Sequence, residues 1–228
     1  DNIINNGLLD KSPMLNVSLV DMYVKCGAFA RAREVIDKLV VRDTISWSAL
    51  ISGYAQKWHY SEALHCFKQM EEEGISPNEI TFVSVLTACC HSGKSDEAQM
   101  YYENIITKYG VTPTTEHHTC MVTVFGISGL FDKAMSVIKT MPSSGDPSIW
   151  LALLASCRKW GNVGLGRLAF DRIIQIDNKL PAAYVLMASV FAAVGLQQDA
   201  EKVLSMRNEL FFIRNHLCQC RKKHTLFS

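Results

Sequence analysis

TISWSALISGYAQKWHYSEALHCFKQMEEEGISPN, Thr44 to Asn78, holds one complete structural unit of this 228-residue chain. Its first part sets Trp47, Leu50, Ile51 and Tyr54 at the spacing of a helix with one buried face. Its second part repeats that spacing with Ala63, Leu64, Phe67 and Met70. Gly74 and Pro77 close the unit, because glycine tolerates the left-handed turn after a helix and proline removes the donor that would let the helix continue.

The unit recurs outward in both directions. Gly27, Trp58, Gly93, Gly129, Gly161 and Gly195 share one register, separated by 31, 35, 36, 32 and 34 residues. Four residues earlier stand Tyr23, Tyr54, Cys89, Phe125, Cys157 and Phe191; eight earlier, Leu19, Leu50, Val85, Met121, Leu153 and Met187. Five residues later come Ala32, Ala63, Ala98, Ala134, Gly166 and Ala200, small enough for the second helix of each pair to cross the first closely. A period in the thirties with two helices per unit predicts an all-α fold, an α-solenoid whose units bury their apolar faces mainly against neighbours. About twelve antiparallel helices in a right-handed superhelix, without strands, are expected.

Composition fits one elongated array, with 48% apolar residues and a formal net charge of +1. That charge is unevenly placed. Residues 1–146 carry 12 basic against 17 acidic side chains, a balance of −5, whereas 147–228 carry 11 against 5, a balance of +6. The two parts therefore face different partners. Of the eight cysteines, Cys26, Cys66, Cys89, Cys90, Cys120 and Cys157 fall inside expected helices and read as reduced core residues; Cys218 and Cys220 lie near the end. The longest apolar run, Tyr184 to Leu196, is too short for a bilayer span, which needs about 20 residues. The opening DNIINNGLLDK has neither secretory-signal nor transit-peptide form, and residues 1–12 read as the tail of a preceding repeat in a longer protein.

In order, VDMYVKCGAFARAREVID within 13–43 resembles the S motif of plant pentatricopeptide repeat proteins of the PLS class. Residues 44–78 resemble a P motif, 79–114 (EITFVSVLTACCHSG to YGVTPT) an L motif, and 115–146 (HHTCMVTVFGISG to MP) the closing S motif. IWLALLASCRKWGNVGLG and YVLMASVFAAVG, within 147–210, resemble the two tetratricopeptide-like E motifs of organelle RNA-editing factors. Trp58 departs from the turn glycine, Ile127 replaces a basic residue two before Gly129, and 211–228 has no place in the family pattern.

What the resemblance implies is single-stranded RNA binding at about one base per repeat, through the fifth residue of a unit and its last. Those pairs are Val17 with Asp43, Ser48 with Asn78, Val83 with Thr114, and Thr119 with Asp146. In the family, Ser48 with Asn78 favours adenine and Thr119 with Asp146 favours guanine; the other two pairs have no assigned base. The expected target reads 5′-N-A-N-G. Met14, Ile45 and Ile80 would flank bases as apolar wedges, a role Glu116 does not suit, and Lys25 and Lys57 would neighbour phosphates. A purely structural alternative stays open, since Asn78 and Asp146 would also cap helices without any RNA.

The chemistry of cytidine deamination requires His-x-Glu and Cys-x-x-Cys, and neither spacing occurs here. His216, Cys218, Cys220 and His224 have atypical spacing for zinc, so neither a metal nor another cofactor is expected. The chain is thus expected to be no enzyme. The resemblance implies a DYW-type deaminase recruited in trans by the E region, with Arg158, Lys159 and Arg172 as docking candidates, in a mitochondrion or chloroplast. A protein-interaction solenoid, or a general organelle RNA-processing factor without an editing role, is the alternative.

Overall fold

A computed structural model describes residues 13–39, 41–141 and 146–208. The readings made for residues 1–12, for the possible zinc ligands and for 211–228 lie outside the described residues. Twelve helices and no strand occur among those described. They are α1 (Pro13–Lys25), α2 (Phe29–Asp37), α3 (Thr44–Gln56), α4 (Tyr60–Glu72), α5 (Glu79–Ser92), α6 (Ser95–Thr107), α7 (Thr115–Ile127), α8 (Phe131–Thr140), α9 (Ser148–Trp160), α10 (Val163–Ile176) and α11 (Pro181–Ala193), followed by α12 over 197–208. The fold is an all-α helical-repeat solenoid, built from two compact units divided after Val124.

The six turns inside the helix pairs share one hydrogen-bond pattern, which is the physical content of the sequence register. The amide after each turn residue donates to the carbonyl four residues before it: Ala28 to Tyr23 (2.8 Å), His59 to Tyr54 (2.9 Å), Lys94 to Cys89 (3.0 Å), Leu130 to Phe125 (2.8 Å), Asn162 to Cys157 (3.1 Å) and Leu196 to Phe191 (3.0 Å). This bond satisfies a carbonyl that the helix end would orphan, and it requires a left-handed residue between. Glycine fills that place five times, with φ between 60° and 78°. Trp58 fills it at φ 67° and is the one non-glycine with positive φ among the described residues.

In unit 1, α3 packs against α1, α4 and α5, so the first helices of successive pairs touch one another directly. The second helices α2 and α4 instead each lie between their own first helix and the next. Gly53 permits the closest approach: a Cβ there would stand 2.4 Å from Val24 Cγ1. Trp47, Leu50, Ile51, Phe67 and Phe82 form the core of this unit, all at most 1% exposed. Ala32, Ala63 and Ala98 are fully buried at the helix crossings, as the need for small residues there predicts. In unit 2, α9 packs on α10 and α11, around Leu153, Ile173, Tyr184 and Met187.

Burial accounts for most of the cysteines. The six described ones form no disulfide. Desolvation pushes the thiols of Cys66 and Cys157 up to about 11 and that of Cys89 up to about 12, which leaves them protonated and inert at neutral pH. Cys26 departs from the core reading: it sits exposed at the end of α1, beside the turn at Gly27. No helix among the described residues is long and apolar enough to cross a membrane.

Candidate nucleic-acid interface

The last residue of each repeat stands at the start of the next first helix, and at Asp43 and Asn78 it is the side-chain cap. Asp43 accepts from Ser46 N (2.8 Å) and Ser46 Oγ (2.6 Å) at the start of α3. Asn78 Oδ1 accepts from Thr81 N (3.0 Å), while Thr81 Oγ1 accepts from Asn78 N (3.1 Å), a complete capping box on α5. Before α7, the Thr114 amide donates to His117 Nδ1 (3.0 Å), and the Thr114 hydroxyl lies 2.8 Å from the same nitrogen. Asp146 Oδ1 accepts from Ser148 N (2.9 Å) ahead of α9. One register therefore carries the helix starts and also presents a polar side chain at the surface.

Geometry separates the roles of the paired residues at the second repeat. Ser48 is only 3% exposed. Its hydroxyl lies 2.6 Å from Thr81 Oγ1 and 3.5 Å from Asn78 Oδ1. The Asn78 carbonyl oxygen thus receives Thr81 N and the one hydroxyl proton of Thr81, while the Ser48 proton serves the closer Thr81 Oγ1; the two bonds fix the plane of the carboxamide. Its Nδ2 has no acceptor among the described residues, and Asn78 is half-buried. An open depression lined by Asn78, Ile80, Gly110 and Val111 adjoins it.

The other candidates fall as follows. Ile45 and Ile80 are 58% and 62% exposed on the first turns of α3 and α5, unusual for isoleucine beside an intact core. The side chain of Met14 lies outside the described residues. Val17 and Val83 are half-buried at the fifth position. Thr119 is half-buried too, its hydroxyl donating to the Thr115 carbonyl at 2.8 Å. Lys25 pairs with Asp21 (2.6 Å), whereas Lys57 is exposed and has no ion-pair partner among the described residues.

In unit 2, Lys159 donates to the Ile127 carbonyl (2.9 Å) and covers the Trp160 ring at 5.2 Å, so it is engaged in closing α7. Arg158 is exposed, and Arg172 bonds only Gln175 on its own helix (3.3 Å). The acidic surplus of the first part has a structural use. Glu71 accepts from Lys108 and Tyr109, and Glu73 from Arg42, each bond joining one repeat to another, while Glu73 also accepts from Trp47 Nε1 within its own repeat.

Several functional-looking groups escaped the linear reading. His117 is fully buried and bridges two repeats, with Nε2 3.1 Å from the Glu79 carbonyl. Burial holds it below the ordinary histidine value of 6.5. Trp58 stacks on His91 with centroids 4.3 Å apart and planes 8° from parallel, and His91 Nδ1 lies 2.9 Å from the Ala55 carbonyl. The pairing of Thr-x-x-His before a helix was the one linear signal for the His117 cap.

A model of the PPR repeat family matches residues 42–91, and a PPR repeat model matches 80–108 and 116–146. A pentatricopeptide repeat-containing protein of Arabidopsis thaliana is 38% identical over 193 residues, covering 84% of this chain and 28% of its own length. A mitochondrial one from the same plant is 37% identical over 209 residues, covering 91% and 32%. The chain spans about a quarter to a half of the relatives it matches. Among solved structures, the maize pentatricopeptide repeat protein PPR10 in complex with an 18-nt psaJ RNA element superposes with a TM-score of 0.71 at 16% identity, covering 91% of this chain and 32% of that one. The PPR domain of Arabidopsis thaliana protein-only RNase P 1 in complex with tRNA gives 0.56 at 19% identity, covering 72% and 89%. Turn register, helix pairing and these matches agree, and the chain belongs to the pentatricopeptide repeat family of plants.

Proposed function

We propose that the repeats bind single-stranded RNA through the capped starts of their first helices and thereby select cytidines for conversion to uridine in organelle transcripts. The observation that carries this is Asn78, whose oxygen is committed to Thr81 N and the Thr81 hydroxyl while its Nδ2 has no acceptor among the described residues, in a depression it shares with the exposed Ile80. A fixed donor complements the N1 acceptor of adenine, whereas a carboxylate in its place would accept from the Watson–Crick donors of guanine. Ser48 then acts through the Thr81 hydroxyl that orients Asn78. The family code extends the target to 5′-N-A-N-G, with guanine assigned to Thr119 and Asp146 by their register. Lys25 and Lys57 serve as phosphate neighbours, and the solved complex of PPR10 with an RNA element supports RNA as the ligand class.

The resemblance of 13–146 to PLS motifs and of 147–210 to E motifs supports the editing branch of the family. It does not deaminate alone in this account. A DYW-type deaminase docks in trans on the basic E region, where exposed Arg158 and Arg172 are free to engage it and Lys159 is tied to Ile127. Mitochondria are the favoured compartment, since several relatives carry that word in their names, with the chloroplast as the other. RNA processing without editing is a second reading, favoured by the likeness to the tRNA-bound protein-only RNase P domain.

Reconstitution on a transcript carrying the cognate site tests the proposal: this chain, a separate deaminase, then both. Conversion that needs both proteins supports it. Conversion by this chain alone, or by the deaminase alone at the same rate, contradicts it.

A further inference from the structure

Trp58 stands where every comparable turn has glycine. The left-handed conformation is strained for an L-residue, and such strain persists where something compensates for it. At Gly27, Gly93 and Gly195 a Cβ would meet nothing within 4 Å, so space does not select against a side chain there; conformation does. Trp58 nevertheless keeps φ 67° and leaves its side chain 70% exposed. One ring face rests on His91, in a nearly parallel stack, and the other faces solvent. No group among the described residues accepts from the indole Nε1.

The turn at the start of unit 2 shows what a structural tryptophan looks like. There Trp160 comes from α9 and lays its ring 3.0 Å from the position a Cβ on Gly129 would take. Its Nε1 donates to the carbonyls of Gly126 (3.0 Å) and Ile127 (3.3 Å), and Lys159 covers the ring. Trp160 has every polar and cationic partner it needs within the protein; Trp58 has a stacking partner on one side only. Lys57, its neighbour, has no carboxylate partner among the described residues, whereas Lys25 pairs with Asp21 and Lys94 stands 3.6 Å from Glu97.

We propose that Trp58 is a stacking platform for one nucleobase of single-stranded RNA, with its indole N–H and the Lys57 ammonium facing the adjoining phosphate. The inference rests on the RNA-binding reading of unit 1 and adds a contact outside the paired positions that read base identity. A free aromatic face beside an unpaired cation is how single-stranded nucleic acid is held without regard to sequence, since every base offers a π-face. His91 holds the platform flat and is a positioning residue; its own ring is anchored by the Ala55 carbonyl.

The test uses the full chain, a labelled single-stranded RNA containing the 5′-N-A-N-G element, and a set of the same RNA with one base at a time removed as an abasic site. Trp58→Gly suits the experiment because it removes the ring and relieves the strained turn, so its melting temperature should hold or rise. Affinity of Trp58→Gly for the intact RNA should fall about 5- to 100-fold. One abasic position should weaken the wild type by a similar factor and leave Trp58→Gly unchanged, while Trp58→Phe retains part of the binding. Equal affinity of wild type and Trp58→Gly, both discriminating bases, overturns the platform and leaves the RNA reading standing. A wild type that binds no RNA overturns both.

Discussion

The two units begin their first helices differently. In unit 1, Asp43 and Asn78 each cap a helix with a side chain that also reaches the surface, and ahead of α7 the His117 ring takes the Thr114 amide. In unit 2, α11 follows Leu180, which offers no side-chain cap, and α9 follows Pro147, with Asp146 bonding Ser148 one step earlier. In unit 2, Asn162 caps the second helix α10, but α11 starts without a polar cap: Pro181 needs no hydrogen-bond acceptor for its missing N–H, and α9 and α11 bury broad apolar faces against each other. A first helix can thus begin without a polar cap, as α11 does, and the second role proposed for Asn78 is tested by binding rather than by stability.

Damage to the packing should be largest, and confined to one unit. Trp47→Ala empties a fully buried site where the indole also bonds Glu73 and lies under Arg33 at 5.2 Å; it should cost about 3–5 kcal/mol. Hydrogen exchange should then show lost protection across α1 to α6 with α9 to α11 retained; uniform loss would mean the units unfold as one. Next comes Gly53→Ala, whose Cβ would collide with Val24; a loss of about 1–3 kcal/mol is expected in chemical denaturation. Val24→Ala should rescue it. If the double variant is no better than the single, α1 and α3 do not meet as closely as described.

Smaller effects come from the helix starts. Asn78→Ala removes the capping box and should cost about 1 kcal/mol, while Asn78→Asp keeps an acceptor for Thr81 N and should cost less. Leu180→Ala, by contrast, removes no cap. The His117 effect depends on pH. Its folded value lies below 6.5 because burial disfavours the charged ring, so the unfolded chain binds the proton first as pH falls. Unit 1 should hold its full stability above pH 6.5 and lose it progressively below, and His117→Gln should flatten that slope.

The periodic features were open to a linear reading because each depends on neighbours a few residues away. The six turns are local hydrogen-bonded loops, so glycine and the small residue five later mark them directly. Contacts between repeats were harder to see. The Trp58–His91 stack joins residues 33 apart, and nothing local to either announces the other. Trp58 was legible only as a misfit in the glycine register. Ser48 shows the opposite problem: its type and position suggest contact with a base, yet the Thr81 hydroxyl one repeat on draws it inward, leaving it 3% exposed. Hydroxyl pairs between successive first helices cannot be deduced from the period alone, because the period fixes which residues are adjacent and not which rotamers they adopt.

The central claim is that a cap residue of unit 1 also reads a base, and Asn78 tests it most directly. Affinities should be measured for four single-stranded RNAs differing only at the second position of the 5′-N-A-N-G element, with the wild-type chain and with Asn78→Asp. The account predicts a preference for adenine in the wild type and a shift toward guanine in the variant. A good two-point contact is worth about 1–3 kcal/mol, so each preference should be about 5- to 150-fold. Four equal affinities in both proteins would contradict the account and leave Asn78 a helix cap alone.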